Sequence, residues 1–162
     1  MTTSNTNTRI AIRSATPADR PFLNALADRL AEFDRPPWRS RAEIAAGDRR
    51  ALNEALDSPS SGTSLFIAEL NDRPAGCLLM WTLKDYFSQE PHAHISVIAV
   101  TKEAEGRGVG RALMDEAEAW ARERGHRGVT LSVFAGNERA QALYERVGYS
   151  VEMHRMIKRL QP

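Results

Sequence analysis

Apolar residues recur along this chain with two different periods, and the places where the period changes divide it into elements. Residues 9–13 (RIAIR) alternate apolar and polar, as a half-buried strand does. A helical stripe follows. Thr16 stands as a cap, Pro17 at the first position and Asp19 two later, and then Leu23, Leu26, Ala27, Leu30 and Phe33 fall at spacings of three and four. The prolines of FDRPPW (33–38) end it, because each removes a backbone donor and drives the preceding residue out of the helical region. Ser40 and Glu43 read as the capping box of a second helix, whose thin stripe of Ile44, Leu52 and Leu56 runs to the SPSSG loop.

From Ser64 the period falls to two. SLFIAEL, a turn at Asn71, Asp72, Arg73 and Pro74, and AGCLLMWTL predict a hairpin, and HISVIAV (94–100) predicts a third strand. A helix over about 109–124 carries Val109, Leu113, Ala117 and Trp120 on one face and stops at Gly125. VTLSVF (129–134) is strand-like, Asn137 caps a short helix that runs through Val147 to Gly148, and residues 150–159 alternate like a closing strand. The order βααβββαβαβ, with no repeat or linker, predicts one mixed α/β domain over residues 9–162 behind a flexible polar tail at 1–8.

Composition narrows the function. A hydrophobic fraction of 42% and a charged fraction of 27% are those of a soluble globular chain, and a net charge of +1 gives no basic surface for nucleic acid or an anionic membrane. No apolar run approaches the roughly 20 residues of a membrane span. A lone Cys77 forms no internal disulfide and the first residues lack a secretory pattern, so a cytoplasmic location is expected. Cys77, Trp81 and Trp120 sit at core spacings.

The candidate chemistry begins at Glu105-Gly106-Arg107-Gly108-Val109-Gly110, between an apolar strand and a helix start. Unpaired helix N–H groups, the positive end of the helix dipole and glycines that admit close approach together suit a phosphate. A dinucleotide fingerprint needs a further glycine where Arg111 stands, and a Walker loop needs a Gly-Lys-Ser/Thr ending that is absent.

With the strand ending Ile98-Ala99-Val100, the helix GRALMDEAEAWARERG, the strand VTLSVF and the segment NERAQALYERVGY, the chain resembles the GNAT superfamily of N-acetyltransferases. The detailed likeness covers about residues 95–149. Gly108 and Gly110 match the two glycines of the family's Arg/Gln-x-x-Gly-x-Gly/Ala loop, whereas Glu105 stands where Arg or Gln is usual. The resemblance implies a mostly antiparallel sheet with a parallel, splayed central strand pair, flanked by helices. It implies acetyl-CoA (coenzyme A) as cofactor, along Ile98, Ala99 and Val100 and over Gly106, Arg107, Gly108, Val109, Gly110 and Arg111, with Asn137 and Tyr144 beside it. Backbone amides do the anchoring, the Ile98 N–H polarises the thioester carbonyl, and Tyr144 protonates the departing thiolate. It further implies direct transfer to a primary amine, on a small molecule or a peptide. The oligomeric state stays open: homodimers are common among similar proteins, and the closing strand offers an edge with which a second copy could pair.

The general base is the open position. Many relatives carry an acid where this chain has Ser96; His94, two residues earlier on the same strand face, is the nearest substitute, with His92, Glu90 and Asp85 behind it. The His92-x-His94 pair lacks a third ligand nearby, so no metal is expected. For the acceptor, FDRPPW and KDYFSQEPH offer Phe33, Trp38, Tyr86 and Phe87 as an aromatic wall and Asp34, Asp85 and Glu90 for an ammonium group. Protein lysines, N-termini, polyamines, aminoglycosides and amino acids all remain open. A non-catalytic acyl-CoA-binding module of the same fold is the alternative.

Overall fold

The computed structural model describes residues 8–161; the expected tail lies outside the described residues except for Thr8. Strand β1 (Ile10–Ser14) leads through a short 3-10 turn into α1 (Arg20–Arg29) and then α2 (Arg41–Asp57). Strands β2 (Thr63–Leu70), β3 (Arg73–Lys84) and β4 (Pro91–Val100) precede α3 (Val109–Glu123), β5 (Val129–Leu131) and α4 (Glu138–Arg146). The five strands lie in sequence order in one sheet, antiparallel except for β4 and β5, which run parallel.

Helices cover both faces of this sheet, which explains the unbroken apolar run of β3. Cys77 and Leu79 join Leu65, Ile67, Leu23, Leu26 and Leu52 in a core under α1 and α2. Leu78 and Met80 point the other way, into a core with Leu113, Met114 and Trp120 of α3. A strand buried on both faces needs apolar residues at every position rather than at alternate ones. The start of α1 is pinned by Asp19, whose carboxylate takes two hydrogen bonds of 2.8 Å from Arg13 and one of 2.8 Å from the Thr16 N–H. Arg13 holds the Asp19 carboxyl below its ordinary range.

Four expectations are corrected. The β2–β3 turn is two residues, Asn71 and Asp72 with φ of 51° and 64°, so β3 starts at Arg73 and Pro74 is accommodated where the register shifts opposite Glu69. Strand β5 stops at Leu131, because residues 132–134 turn away from β4. The closing strand at 150–159 does not form, and Val151, Met153, Met156, Ile157 and Leu160 are exposed. Alternation makes a strand only where an edge lies alongside to pair with, and this segment pairs with none among the described residues. The parallel pair therefore sits at the edge of the sheet, not at its centre.

Gly76 sets the distance between β3 and the far end of β4. A Cβ there would lie 2.7 Å from the Ala99 carbonyl oxygen, with Leu113 at 3.1 Å and Val109 at 3.3 Å. Gly76→Ala is expected to destabilise the fold by about 2 kcal/mol through overpacking, seen as a lower urea midpoint at unchanged m-value; an unchanged midpoint would show that β4 yields freely.

Candidate active site

A bulge in β4 builds the site. Leu79 pairs with Val97 but Met80 pairs with Ile95, so Ser96 is an extra residue. Ala93 and Ile95 before it face the α3 core, while Val97 and Ala99 after it face the α1–α2 core. On its other side β4 pairs with β5 only over Ala93, His94 and Ile95. Beyond Ile95 the two parallel strands part, leaving a fork.

The backbone that faces this fork follows from register. The Thr101 N–H donates to Ala75 O at 2.8 Å, and since strand hydrogen bonding alternates, Ala99 also turns to β3 while Ile98 and Val100 turn their N–H and C=O away from it. Arg29 Nε donates to the Val100 carbonyl at 2.8 Å from that open side. Ala99 is buried and presents nothing to the fork.

At the end of β4 lies the glycine loop. Gly106 and Gly108 have φ of 69° and 88°, a conformation that other residues adopt only with strain. The first intrahelical bond of α3 runs from the Ala112 N–H to Gly108 O, so the N–H groups of Val109, Gly110 and Arg111 have no intrahelical acceptor. They gather at the positive end of a 15-residue helix. Gly110 lets this end approach α4: a Cβ there would touch Leu143 at 3.4 Å. Arg107 is exposed, and Arg111 is exposed with Nε on Asp115 at 3.2 Å.

Glu105 has a role that its place in the loop did not foretell. Its carboxylate joins Arg29 of α1 to Arg139 of α4, the latter at 2.6 Å. Two guanidinium groups are thus held at the mouth of the glycine loop by one carboxylate. Arg139, between the cap Asn137 and Tyr144, is a cation beside this loop that sequence reasoning missed.

A cavity of about 100 Å³ fills the fork. Its walls are residues Ile95 to Ile98 of β4, Leu131 to Phe134, Asn137 and Tyr144, with Leu30, Phe33 and Asp48 closing it from the α1–α2 side. Phe33 packs on Phe134 with ring centroids 5.0 Å apart. Gly136 lets the two loops meet, since a Cβ there would collide with the Asp34 carbonyl. The Asn137 side chain caps α4 by accepting from the Ala140 N–H at 3.3 Å. Burial raises the Tyr144 phenol above its ordinary pKa, so it stays protonated at neutral pH.

Asp48 is the other missed residue. It is half-buried, and among the described residues no hydrogen bond or ion pair reaches its carboxylate. Desolvation pushes its pKa up to about 6. The signal was present in the sequence: Ile44, Asp48 and Leu52 fall at i, i+4 and i+8, which sets a carboxylate in the apolar stripe of α2.

The structure distributes the remaining candidates elsewhere. His94 Nδ1 lies 2.8 Å from Thr130 Oγ1, which is also 3.0 Å from His92 Nε2, and neither histidine lines the cavity. Burial and the neighbouring His92 lower the His94 pKa. Asp85, Tyr86 and Glu90 form the exposed β3–β4 tip, where the Asp85 carboxylate accepts from the Ser88 N–H at 2.7 Å, and Trp38 is also outside the cavity wall. Of the acceptor candidates only Phe33 reaches the fork. No three potential metal ligands cluster among the described residues, and no described helix is long and apolar enough to cross a membrane.

An α/β domain with a splayed parallel strand pair, an open strand edge and an anion-suited helix start is the class that this fold and site define. The profile of the acetyltransferase (GNAT) family matches residues 23–149. A mycothiol acetyltransferase of Propionibacterium freudenreichii is 39% identical over 71 residues, 44% of this chain and 23% of that protein. An uncharacterised N-acetyltransferase of Bacillus subtilis is 25% identical over 76% of this chain and 78% of that one. The chain thus spans less than a quarter of the first of these relatives and most of the second. Among solved structures, a Pyrococcus furiosus protein at 26% identity superposes with a TM-score of 0.74 over 94% of this chain and 100% of that chain. An aminoglycoside N-acetyltransferase solved with CoA has the same fold, with a TM-score of 0.69 at 17% identity over 96% and 97% of the two chains. This chain belongs to the GNAT acetyltransferase family.

Proposed function

We propose that this protein transfers the acetyl group of acetyl-CoA directly to a primary amine. The observation that carries the reading is the cavity in the fork, which Ile98 of the open edge and Tyr144 both line. The residues present fit the cofactor. Ile98 and Val100 offer strand amides with no strand partner, and Val109, Gly110 and Arg111 offer helix N–H groups suited to a pyrophosphate, with Gly106 and Gly108 giving close approach.

Acetyl-CoA, when bound, supplies an acetyl carbon activated as a thioester. The Ile98 N–H donates toward the carbonyl oxygen as charge gathers there, and Tyr144 donates its phenolic proton to the departing sulfur. Asn137 fixes the start of the helix that carries Tyr144. The name N-acetyltransferase of the Bacillus subtilis relative supports nitrogen as the acceptor atom, and that of the mycothiol acetyltransferase supports a small molecule. The test is thiol release from acetyl-CoA across a panel of amines. Release that depends on the amine is expected; binding of acetyl-CoA with no such release at any pH up to the amine pKa would leave only an acyl-CoA-binding module.

Glu105 supplies a second check. Its charge lies beside the proposed pyrophosphate site and offsets one of the two positive charges of Arg29 and Arg139. Glu105→Gln is expected to tighten acetyl-CoA binding roughly threefold at low salt, a gap that closes near 1 M salt as screening shortens to about 3 Å. Calorimetric titration at two ionic strengths measures it, and weaker binding in the variant would make Glu105 part of the anchor instead.

A further inference from the structure

The acceptor arrives as an ammonium ion at neutral pH, and a nitrogen that keeps its proton has no lone pair with which to attack. Ser96 is no base by itself, and Tyr144 must retain its own proton for the sulfur. The ring nitrogen of His94 is engaged by Thr130 outside the cavity wall. One side chain in that wall remains. We propose that Asp48 is the catalytic base, its carboxylate taking the proton of the acceptor ammonium inside the fork between β4 and β5. This assignment rests on the acetyl-transfer reading above.

Position and surroundings carry the inference. Asp48 closes the cavity from α2 while Ile98 and Tyr144 form other parts of its wall, so all three border the space offered to an amine. A carboxylate at an apolar-stripe position with no partner is costly unless a cation completes it. Among the described residues no cation does. No Lys, Arg or His lines the cavity; Arg49, next on α2, pairs with Asp28; Arg29 of α1 is held by Val100 O and Glu105. The titratable groups facing Asp48 are the Cys77 thiol of β3, which burial and, after it, the Asp48 charge push up to about 12, and Tyr144 across the cavity from α4. Both are neutral near pH 7. The missing cation is the acceptor.

The step balances without another reactant. The N–H bond of the ammonium breaks and its proton goes to Asp48. The freed lone pair forms the C–N bond, the C–S bond breaks, and the sulfur takes the Tyr144 proton. The nitrogen, which after attack still carries a second proton and a positive charge, gives that proton to the Tyr144 phenolate as the amide forms, and Asp48 returns the first proton to water.

The test starts with wild-type kcat/KM against pH, for amines whose own pKa values differ by about two units. An acid limb fixed near pH 6 for every amine is expected, matching the raised pKa of Asp48; a limb that moves with the amine would overturn the assignment. Asp48→Asn is expected to lose at least 100-fold in kcat/KM at pH 7 together with that limb, at unchanged coenzyme A affinity, whereas His94→Gln keeps the limb. In Asp48→Ala, added formate or acetate is expected to restore activity with a rate that rises with the basicity of the added carboxylate. An Asn variant with the wild-type rate and limb would overturn the proposal. Independently of turnover, the Asp48 carboxyl carbon in the unliganded protein is expected to titrate near pH 6 by NMR, and titration near pH 4 would count against it. A wild-type protein that acetylates no amine, while its Asp48 titrates as stated, would instead remove the acetyl-transfer reading.

Discussion

Tyr144→Phe is expected to lower kcat by about 100-fold while acetyl-CoA affinity stays within twofold. The ring is retained, so the wall of the cavity and the packing on Tyr149, with centroids 6.1 Å apart, are preserved and only the phenolic proton is lost. A positioned general acid contributes roughly 10² to 10⁴ in rate, which sets the magnitude. The sharper readout is the leaving group. Thioester donors whose thiol has a lower pKa need less protonation on departure, so the deficit of the variant should shrink with such donors. An equal deficit for all donors would make Tyr144 a packing residue, and equal turnover with acetyl-CoA would remove it from the chemistry.

The elements of this fold were legible wherever local pattern and tertiary context agreed. The apolar face of α3 read as Val109, Leu113, Ala117 and Trp120, and all four are buried. The caps Ser40 and Asn137 both accept a helix N–H. Residues 150–159 had the alternation of a strand but pair with neither edge of the sheet, β1 or β5, and pairing is not a property of the segment alone. The same limit shortened β5, since VTLSVF has strand propensity throughout and only the divergence of β4 releases its last residues to the cavity wall.

The site was legible as backbone and hidden as side chains. Gly106 and Gly108 advertise their positive φ locally, and two residues that the resemblance pointed to, Ile98 and Tyr144, line one cavity. The bulge at Ser96 is not written in HISVIAV, because a one-residue shift between two strands depends on the partner. It explains why counting alternate residues from Ser96 back to His94 did not lead to the cavity. The Glu105 link between Arg29 and Arg139 joins residues far apart in sequence and has no local signature. Asp48 had one, a polar residue breaking an apolar stripe, which is as much a mark of function as an unbroken stripe is of core.

That break has a thermodynamic consequence that can be measured without substrate. Asp48→Asn is expected to raise the stability of the fold at pH 7 to 8 by about 2 kcal/mol. A tenfold change in proton affinity is worth about 1.4 kcal/mol, and partial solvation of the carboxylate trims the roughly hundredfold change that a rise from 3.8 to about 6 would bring. The sign follows from proton counting. The folded carboxyl titrates near 6 and the unfolded one near 3.8, so between these values the folded state binds more protons and its stability falls as pH rises. Asp48 therefore costs nothing below about pH 4, costs progressively more up to pH 6, and costs the full amount above it. The asparagine amide carries no charge at any of these pH values and removes the dependence. Urea unfolding of both proteins at pH 4, 5, 6 and 7.5 should give curves that coincide at the acid end and separate toward neutral pH, with a difference in melting temperature on the order of 4–8 °C for a chain of this size. A wild-type protein as stable as the variant at pH 7.5 would mean that the carboxylate is solvated after all. Separation of the two curves would show a fold that keeps an unpaired, half-buried charge at the expense of its own stability, the trade-off expected where activity needs that charge.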